Sequence, residues 1–300
     1  FIVTVKSQEK LAGECSQNLI SKNGLIFEPS GRNTAPCILL ALAKLEAKGA
    51  TDQDLMAIVP SDHIILNKKG FQQTLSSAFE LARKNNKIVT IGIKPNFPHT
   101  GYGYIRKGSS VGLSCYDVSQ FVEKPDFETA KSYLKSGEYY WNGGMFVTSM
   151  GTLKNEFKEH APDMYEYYQS LVDANELDIA EVYENLRKES IDYAVMEKSN
   201  NVYVQEADFD WNDLGSWDAL ETVLTRKEGN ITVHDNDHFY HESKGNIIYA
   251  PGKFVSLQYV NDLIVVDNEE VLMILPKDKA QEVKKIVEHI QASDLKNKPI

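Results

Sequence analysis

Leu55-Met-Ala-Ile-Val59-Pro-Ser-Asp62-His63 is a continuous apolar run that stops on a proline and then delivers a carboxylate. A short apolar run bounded by turn formers reads as a strand buried on both faces, the habit of a parallel α/β sheet. The pattern repeats outward from it. Upstream, Thr34 followed by Pro36 places a cap and an early proline where a helix should open. That helix is predicted over 37–48, with Ile38, Leu39, Leu42 and Leu45 as an apolar stripe and Gly49 as its stop. Downstream, an amphipathic helix at 71–84 leads to a second buried strand at 87–93. Residues 1–5 are a β-branched strand followed by a helix at 8–19. Alternating strands and helices predict βαβ units and a mixed, mostly parallel sheet.

From residue 118 the predicted order is a strand, a helix at 127–135, a strand at 144–148 and several helices up to 198. A strand at 201–206 and a helix at 216–224 complete this part. Beyond 228 the character changes to short β-like pieces at 231–275, broken by Asn, Asp, Gly and Pro, and a closing helix at 277–291. The expected organisation is an α/β domain at 1–227 and a small second domain at 228–300. Its repeats are too few and irregular to choose between a β-solenoid and a sandwich-like appendage. Residues 295–300 are expected to fray.

Bulk properties exclude some classes of function. The 300 residues carry a net charge of −11, with 42% hydrophobic and 25% charged residues. Nucleic-acid binding needs a basic footprint that releases counterions, so it is not expected. No apolar run approaches the roughly 18–20 residues of a membrane span. Cys15, Cys37 and Cys115 are odd in number and widely spaced, as free thiols in a reducing cytoplasm would be.

Chemistry-bearing residues recur where strands should emerge, which is where open α/β sheets bind ligands. Asp62 fits a hard divalent cation that wants carboxylate oxygen; the same carboxylate also fits a turn or helix cap, and His63 fits a structural hydrogen bond. Trp211-Asn-Asp213-Leu-Gly215 offers a second carboxylate, with Asp208 and Asp210 close by, or else an Asx-rich turn. In Phe121-Val-Glu123-Lys124-Pro125, regular strand alternation would separate Glu123 from Lys124. A strand ending at Pro125 would let both turn to one ligand, lysine to a phosphate and glutamate to hydroxyls; a surface ion pair is the alternative. Gly103, in Gly101-Tyr-Gly103-Tyr104, suits close approach of backbone to a ligand, or a hairpin turn. Asn142, in Trp141-Asn-Gly-Gly144, could present an amide to a sugar hydroxyl, with Tyr139, Tyr140 and Trp141 as packing. Arg32 and Asn33 precede a helix start and suit a base or an anion, or simply a capped loop.

Taken together, these motifs resemble those of the bacterial mannose-1-phosphate guanylyltransferases, including the transferase half of bifunctional isomerase/guanylyltransferase proteins. The resemblance runs from Glu28 to about Gln291. It implies a Rossmann-like nucleotidyltransferase domain followed by a small left-handed β-helix-like domain. It implies the reaction of mannose 1-phosphate with GTP to give GDP-mannose and pyrophosphate, with Mg²⁺. Asp62 and Asp213 would hold the metal; Asp62, Lys124 and Asp213 would carry catalysis. Gly103, Glu123, Lys124 and Asn142 would bind the sugar phosphate, and Arg32, Asn33, Thr34 and Ser61 the nucleotide. A homodimer is a candidate assembly.

The family's glycine-rich signature loop, with its arginine and Pro-Lys pair, has no counterpart here, and Phe1 corresponds to a later strand. The expectation is that a βα unit precedes Phe1. Another hexose 1-phosphate or nucleotide, or a non-catalytic nucleotide-sugar-binding subunit, are the alternatives. An isomerase label would come only by inheritance from the bifunctional relatives.

Overall fold

The computed structural model describes residues 1–16, 19–175, 178–234, 237–268 and 270–292. The expectation for 295–300 lies outside them. The chain divides into two compact units. One comprises Phe1–Pro60 and Asn67–Phe209; the other comprises Ser61–Leu66 with the described residues from Asp210 onward.

In the first unit, β1 (Ile2–Val5) and β2 (Leu25–Glu28) form a parallel pair. The main sheet contains β3 (Leu55–Ile58), β4 (Ile88–Ile93), β5 (Tyr104–Gly112), β6 (Cys115–Val122), β7 (Tyr139–Ser149) and β8 (Val202–Glu206). Their spatial order is β3-β7-β4-β8-β6-β5. The sheet is mixed, but the expectation of a mostly parallel one is corrected. Among its described pairings only β4–β8 is parallel; β3–β7, β4–β7, β5–β6, β5–β7 and β6–β8 are antiparallel. The physical reason starts at a two-residue turn. Leu113 and Ser114 both have φ 55°, the conformation of the tight hairpins whose twist matches the flanking strands. A hairpin that short forces β5 and β6 antiparallel, and it carries no Asn-Gly signal to announce itself.

The helix predicted at 37–48 runs Thr34–Ala47, and its cap is Asn33, whose side chain accepts from the Thr34 N–H. Leu39, Leu40 and Leu42 on it are fully buried, in one core with Ile88, Phe157, Tyr183 and Val195. Truncating any of these leucines to alanine would cost about 2–5 kcal/mol. Strand β4 is buried along its whole length, as read. Strand β3 is not: it is half-buried, and Val59 just beyond it is 48% exposed. It lies at the edge of the sheet, so its apolar run reported hydrophobicity and not centrality.

In the second unit, β9 (Ile231–Thr232), β11 (Ile247–Tyr249), β13 (Leu263–Asp267) and β14 (Leu272–Pro276) form one sheet, and β10 (His238–His241) pairs with β12 (Val255–Gln258). Apart from the antiparallel β13–β14 end, these pairings are parallel between successive coils, as in a β-helix. Gly229-Asn230-Ile231, Gly245-Asn246-Ile247 and Asp262-Leu263-Ile264 occupy equivalent positions on successive coils. Asn246 Nδ2 donates to Asn230 Oδ1 at 2.9 Å and to Val260 O at 3.0 Å, and Asn246 Oδ1 accepts from Leu263 N at 2.9 Å. A buried asparagine thus satisfies the turn backbone of adjacent coils, which bare carbonyls and amides require.

Candidate functional site

The end of β6 sets the geometry around Glu123 and Lys124. Lys124 takes φ 49°, a left-handed conformation that a non-glycine residue adopts only under local constraint. That turn cancels the alternation that would send neighbouring side chains to opposite faces. Lys124 Nζ consequently lies 3.3 Å from Glu123 Oε1, with the glutamate side chain 10% exposed and the lysine 58% exposed. The Glu123 N–H donates to Glu197 Oε1 at 2.9 Å. Burial pushes the Glu123 carboxyl above the usual range, the Asp192 charge adds to this, and Lys124 opposes it.

Asn142 stands beside that corner, within β7 and not ahead of it as expected. Next to it the β4–β7 register shifts between Thr90 and Gly92. The Asn142 N–H donates to Gly103 O at 2.8 Å. Asn142 Oδ1 accepts from Thr90 Oγ1 at 3.2 Å and from Gly144 N at 3.1 Å, while Nδ2 donates to Asp192 Oδ1 at 2.8 Å. Both oxygen lone pairs are used, so the amide has one N–H left to offer. A Cβ on Gly103 would stand 2.4 Å from Glu123 Oε2, so only glycine lets the carboxylate sit there. Burial raises the Asp192 carboxyl, and Glu197 adds to that; the hydrogen bond from Asn142 and the Lys124 charge lower it. Gly103, Glu123, Lys124 and Asn142 are therefore brought together. Tyr140 and Trp141 are buried, as packing residues should be.

Asp62 and Asp213 belong to the second unit. An antiparallel bridge between Ile64 and Asn212 brings their segments side by side, and Asp210 Oδ2 accepts from Leu66 N at 2.8 Å. Trp211 Nε1 donates to His63 Nδ1 at 3.0 Å. His63 is held below its usual pKa by burial, against the charges of Asp62 and Asp213, which act on the same ring. Asp62 is 81% exposed, and Asp213 Oδ1 accepts from Gly215 N at 3.0 Å. Asp62 and Asp213 are carboxylates of the kind a magnesium-type cation prefers, but among the described residues no group of three or more His, Cys, Asp or Glu side chains is gathered to hold a metal ion. Asp210 is engaged in holding the loop.

Arg32, Asn33 and Thr34 make a third group. Arg32 Nη1 donates to Leu186 O at 2.9 Å, Asn33 caps the helix, and Thr34 Oγ1 accepts from Ile191 N at 2.8 Å. These bonds tie the loop to residues 186–191. Nearby, the buried Tyr183 hydroxyl donates to the buried Glu28 carboxylate. Burial, with the charge and hydrogen bond of Glu28, pushes the Cys37 thiol up to about 12.

Residues 1–229 match the nucleotidyl transferase family, and residues 237–290 match the MannoseP isomerase/GMP-like beta-helix domain. The chain belongs to the nucleotidyl transferase family. It is 37% identical over 279 residues to a mannose-1-phosphate guanylyltransferase of Salmonella muenchen, covering 91% of this chain and 58% of that relative. The chain thus spans about three fifths of that curated relative's length. A crystal structure described as mannose-1-phosphate geranyltransferase from Thermus thermophilus superposes with a TM-score of 0.84 at 33% identity, over 96% of this chain and 83% of that one. One described as mannose-6-phosphate isomerase from Helicobacter pylori gives 0.61 at 30% identity, over 71% of this chain and 83% of that one.

In this nucleotidyl transferase, two acidic residues at the Glu123 corner escaped the sequence reading: Asp192 and Glu197. The available signal was a pair of acids in an otherwise apolar run, Ile191-Asp-Tyr-Ala-Val-Met-Glu197. Chemically, the corner pairs an accepting carboxylate with a donating amide. A hydroxyl placed between them would donate to Glu123 and accept from Asn142, while the Lys124 ammonium would meet a phosphate. Among the described residues no helix is long and apolar enough to cross a membrane.

Proposed function

We propose that the chain transfers GMP from GTP to mannose 1-phosphate, giving GDP-mannose and pyrophosphate, in the cytoplasm. The observation that carries this reading is the Glu123–Lys124–Asn142–Gly103 corner, which gathers a carboxylate, an ammonium and an amide beside the end of β6. The names of the similar guanylyltransferases support the choice of base and sugar. Glu123 and Asn142 would orient the hexose, and Lys124 would hold its phosphate. A phosphate oxygen of the sugar attacks the α-phosphorus of GTP in line, the bond to the bridging oxygen breaks, and pyrophosphate departs with the electron pair. The attacking phosphate is already ionised, so no side-chain base is required. The chain supplies positioning and charge. A magnesium ion held by Asp62 and Asp213 would neutralise charge on the phosphates. Arg32, Asn33, Thr34 and Ser61 are the proposed nucleotide-side residues.

The test is pyrophosphate release from GTP in the presence of Mg²⁺, with and without mannose 1-phosphate. Release that requires the sugar phosphate supports the reading. Preference for UTP or for glucose 1-phosphate in the same panel would reassign the substrate, and GDP-mannose binding without turnover would make the chain a sensor.

A further inference from the structure

We infer that residues 192–197 are the positioning element of this corner: Asp192 and Glu197 act as hydrogen-bond acceptors that fix Asn142 and Glu123 for the sugar phosphate. The inference rests on the reaction proposed above and adds two residues with stated roles.

In an α-helix of 3.6 residues per turn, side chains five apart point about 140° away from one another. Here Asp192–Met196 is a π-turn, and Glu197 N donates to Asp192 O at 2.9 Å. Closing the backbone over five residues restores two positions five apart to about one face. The two carboxylates accordingly reach the same corner and do separate jobs there. Asp192 Oδ1 accepts a hydrogen bond from Asn142 Nδ2 at 2.8 Å, which commits the amide oxygen to Thr90 and Gly144 and leaves one N–H for a ligand oxygen. Were the amide reversed, its oxygen would face a carboxylate and its NH₂ would face the Gly144 N–H, so the acceptor at 192 selects the orientation. Glu197 Oε1 takes the Glu123 N–H at 2.9 Å, one residue before the left-handed Lys124. An amide at the end of a strand has no ladder partner, so this bond holds the turn that brings Glu123 and Lys124 together. Neither residue needs to touch substrate, and each works through its oxygen as an acceptor.

The role is tested by steady-state kinetics on Asp192→Ala, Asp192→Asn, Glu197→Ala and Glu197→Gln in the 300-residue chain, with hydrogen exchange at the Glu123 amide in the unliganded protein. The alanine variants are expected to raise KM for mannose 1-phosphate about 10-fold and to change KM for GTP less than about 2-fold, the signature of one lost positioning bond. Asn and Gln keep an accepting oxygen and are expected to restore KM to within about 3-fold. Glu197→Ala should speed exchange of the Glu123 N–H by about 10-fold or more, and Glu197→Gln should not.

The inference is overturned by alanine variants with unchanged KM, by equal rises for both substrates, or by amide variants as impaired as alanine. If an alanine variant does not fold, its amide partner decides, an impaired KM counting against the inference. Should the parent chain turn over no sugar phosphate, the proposed reaction falls on its own. The exchange experiment then judges the positioning role alone: unchanged protection of Glu123 in Glu197→Ala refutes it.

Discussion

A single methyl group added at Gly103 tests the corner most directly. Its φ lies outside the left-handed region, so alanine is allowed by the backbone, but its Cβ would fall 2.4 Å from Glu123 Oε2 and 3.3 Å from Asn142 Cβ. Ordinary contact requires the carboxylate to withdraw by about 1 Å, because its own backbone is tied to Glu197 and cannot follow. A displacement of about 1 Å in a positioning group costs on the order of 10- to 100-fold in rate, or about 1.4–2.7 kcal/mol. Glu123→Gln would remove charge as well, whereas Gly103→Ala moves the carboxylate without changing its chemistry. The assay is kcat/KM with mannose 1-phosphate varied at saturating GTP. Gly13→Ala, in the exposed helix Glu9–Cys15 with nothing within 4 Å of its Cβ, is the control; it should leave kinetics unchanged and stabilise the chain by about 0.5–1 kcal/mol. Gly103→Ala kinetics within about 2-fold of the parent would show that Glu123 is not held where it binds sugar, and the corner would lose its assigned role.

Three other expectations concern the two aspartates, the Glu123 charge and the second unit. Asp62→Asn and Asp213→Asn should each lower magnesium-dependent pyrophosphate release by about 100-fold or more; a variant with the parent's rate and magnesium dependence would remove that residue from the metal site. Glu123→Gln should abolish turnover yet stabilise the chain as pH rises. Below the ordinary glutamate range the residue is neutral folded and unfolded alike, but above it the unfolded chain ionises before the folded one, whose carboxyl is raised by burial. Urea titrations of parent and variant at pH 4 and pH 7 would show this, and an equal difference at both would contradict it. Asn246→Ala removes two donors and an acceptor from the buried Asn230 and the half-buried Val260 and Leu263 and should cost the second unit about 2–4 kcal/mol, read as faster hydrogen exchange in β11 relative to β4.

The elements most legible in the sequence were those in which period and burial coincide. Helix Thr34–Ala47 and strand β4 emerged where the apolar pattern put them. Strand direction did not, because direction depends on connections. The β5–β6 hairpin turns on Leu113 and Ser114, two residues with no propensity for positive φ, so nothing local revealed that β5 existed. In the second unit the repeat was visible but its cause was not. Gly-Asn-Ile at 229–231 and again at 245–247 looks like turn punctuation until the asparagine side chains are seen bonded across the coils.

At the site the divide between legible and hidden residues has one physical origin. Lys124 and Glu123 were readable because Pro125 announced the end of a strand, and a strand end frees neighbouring side chains from alternation. Asp192 and Glu197 were not readable, since helical periodicity sends residues five apart to different faces, and only a π-turn reunites them. A π-turn strains regular helix geometry and survives where surrounding contacts over-determine it. Here the contacts that hold it are the core packing of Ala194, Val195 and Met196 together with the bonds it makes to Asn142 and Glu123. The corner therefore depends on the irregularity: removing a residue between 192 and 197 would restore α-helical spacing and send one of the two carboxylates away from its partner.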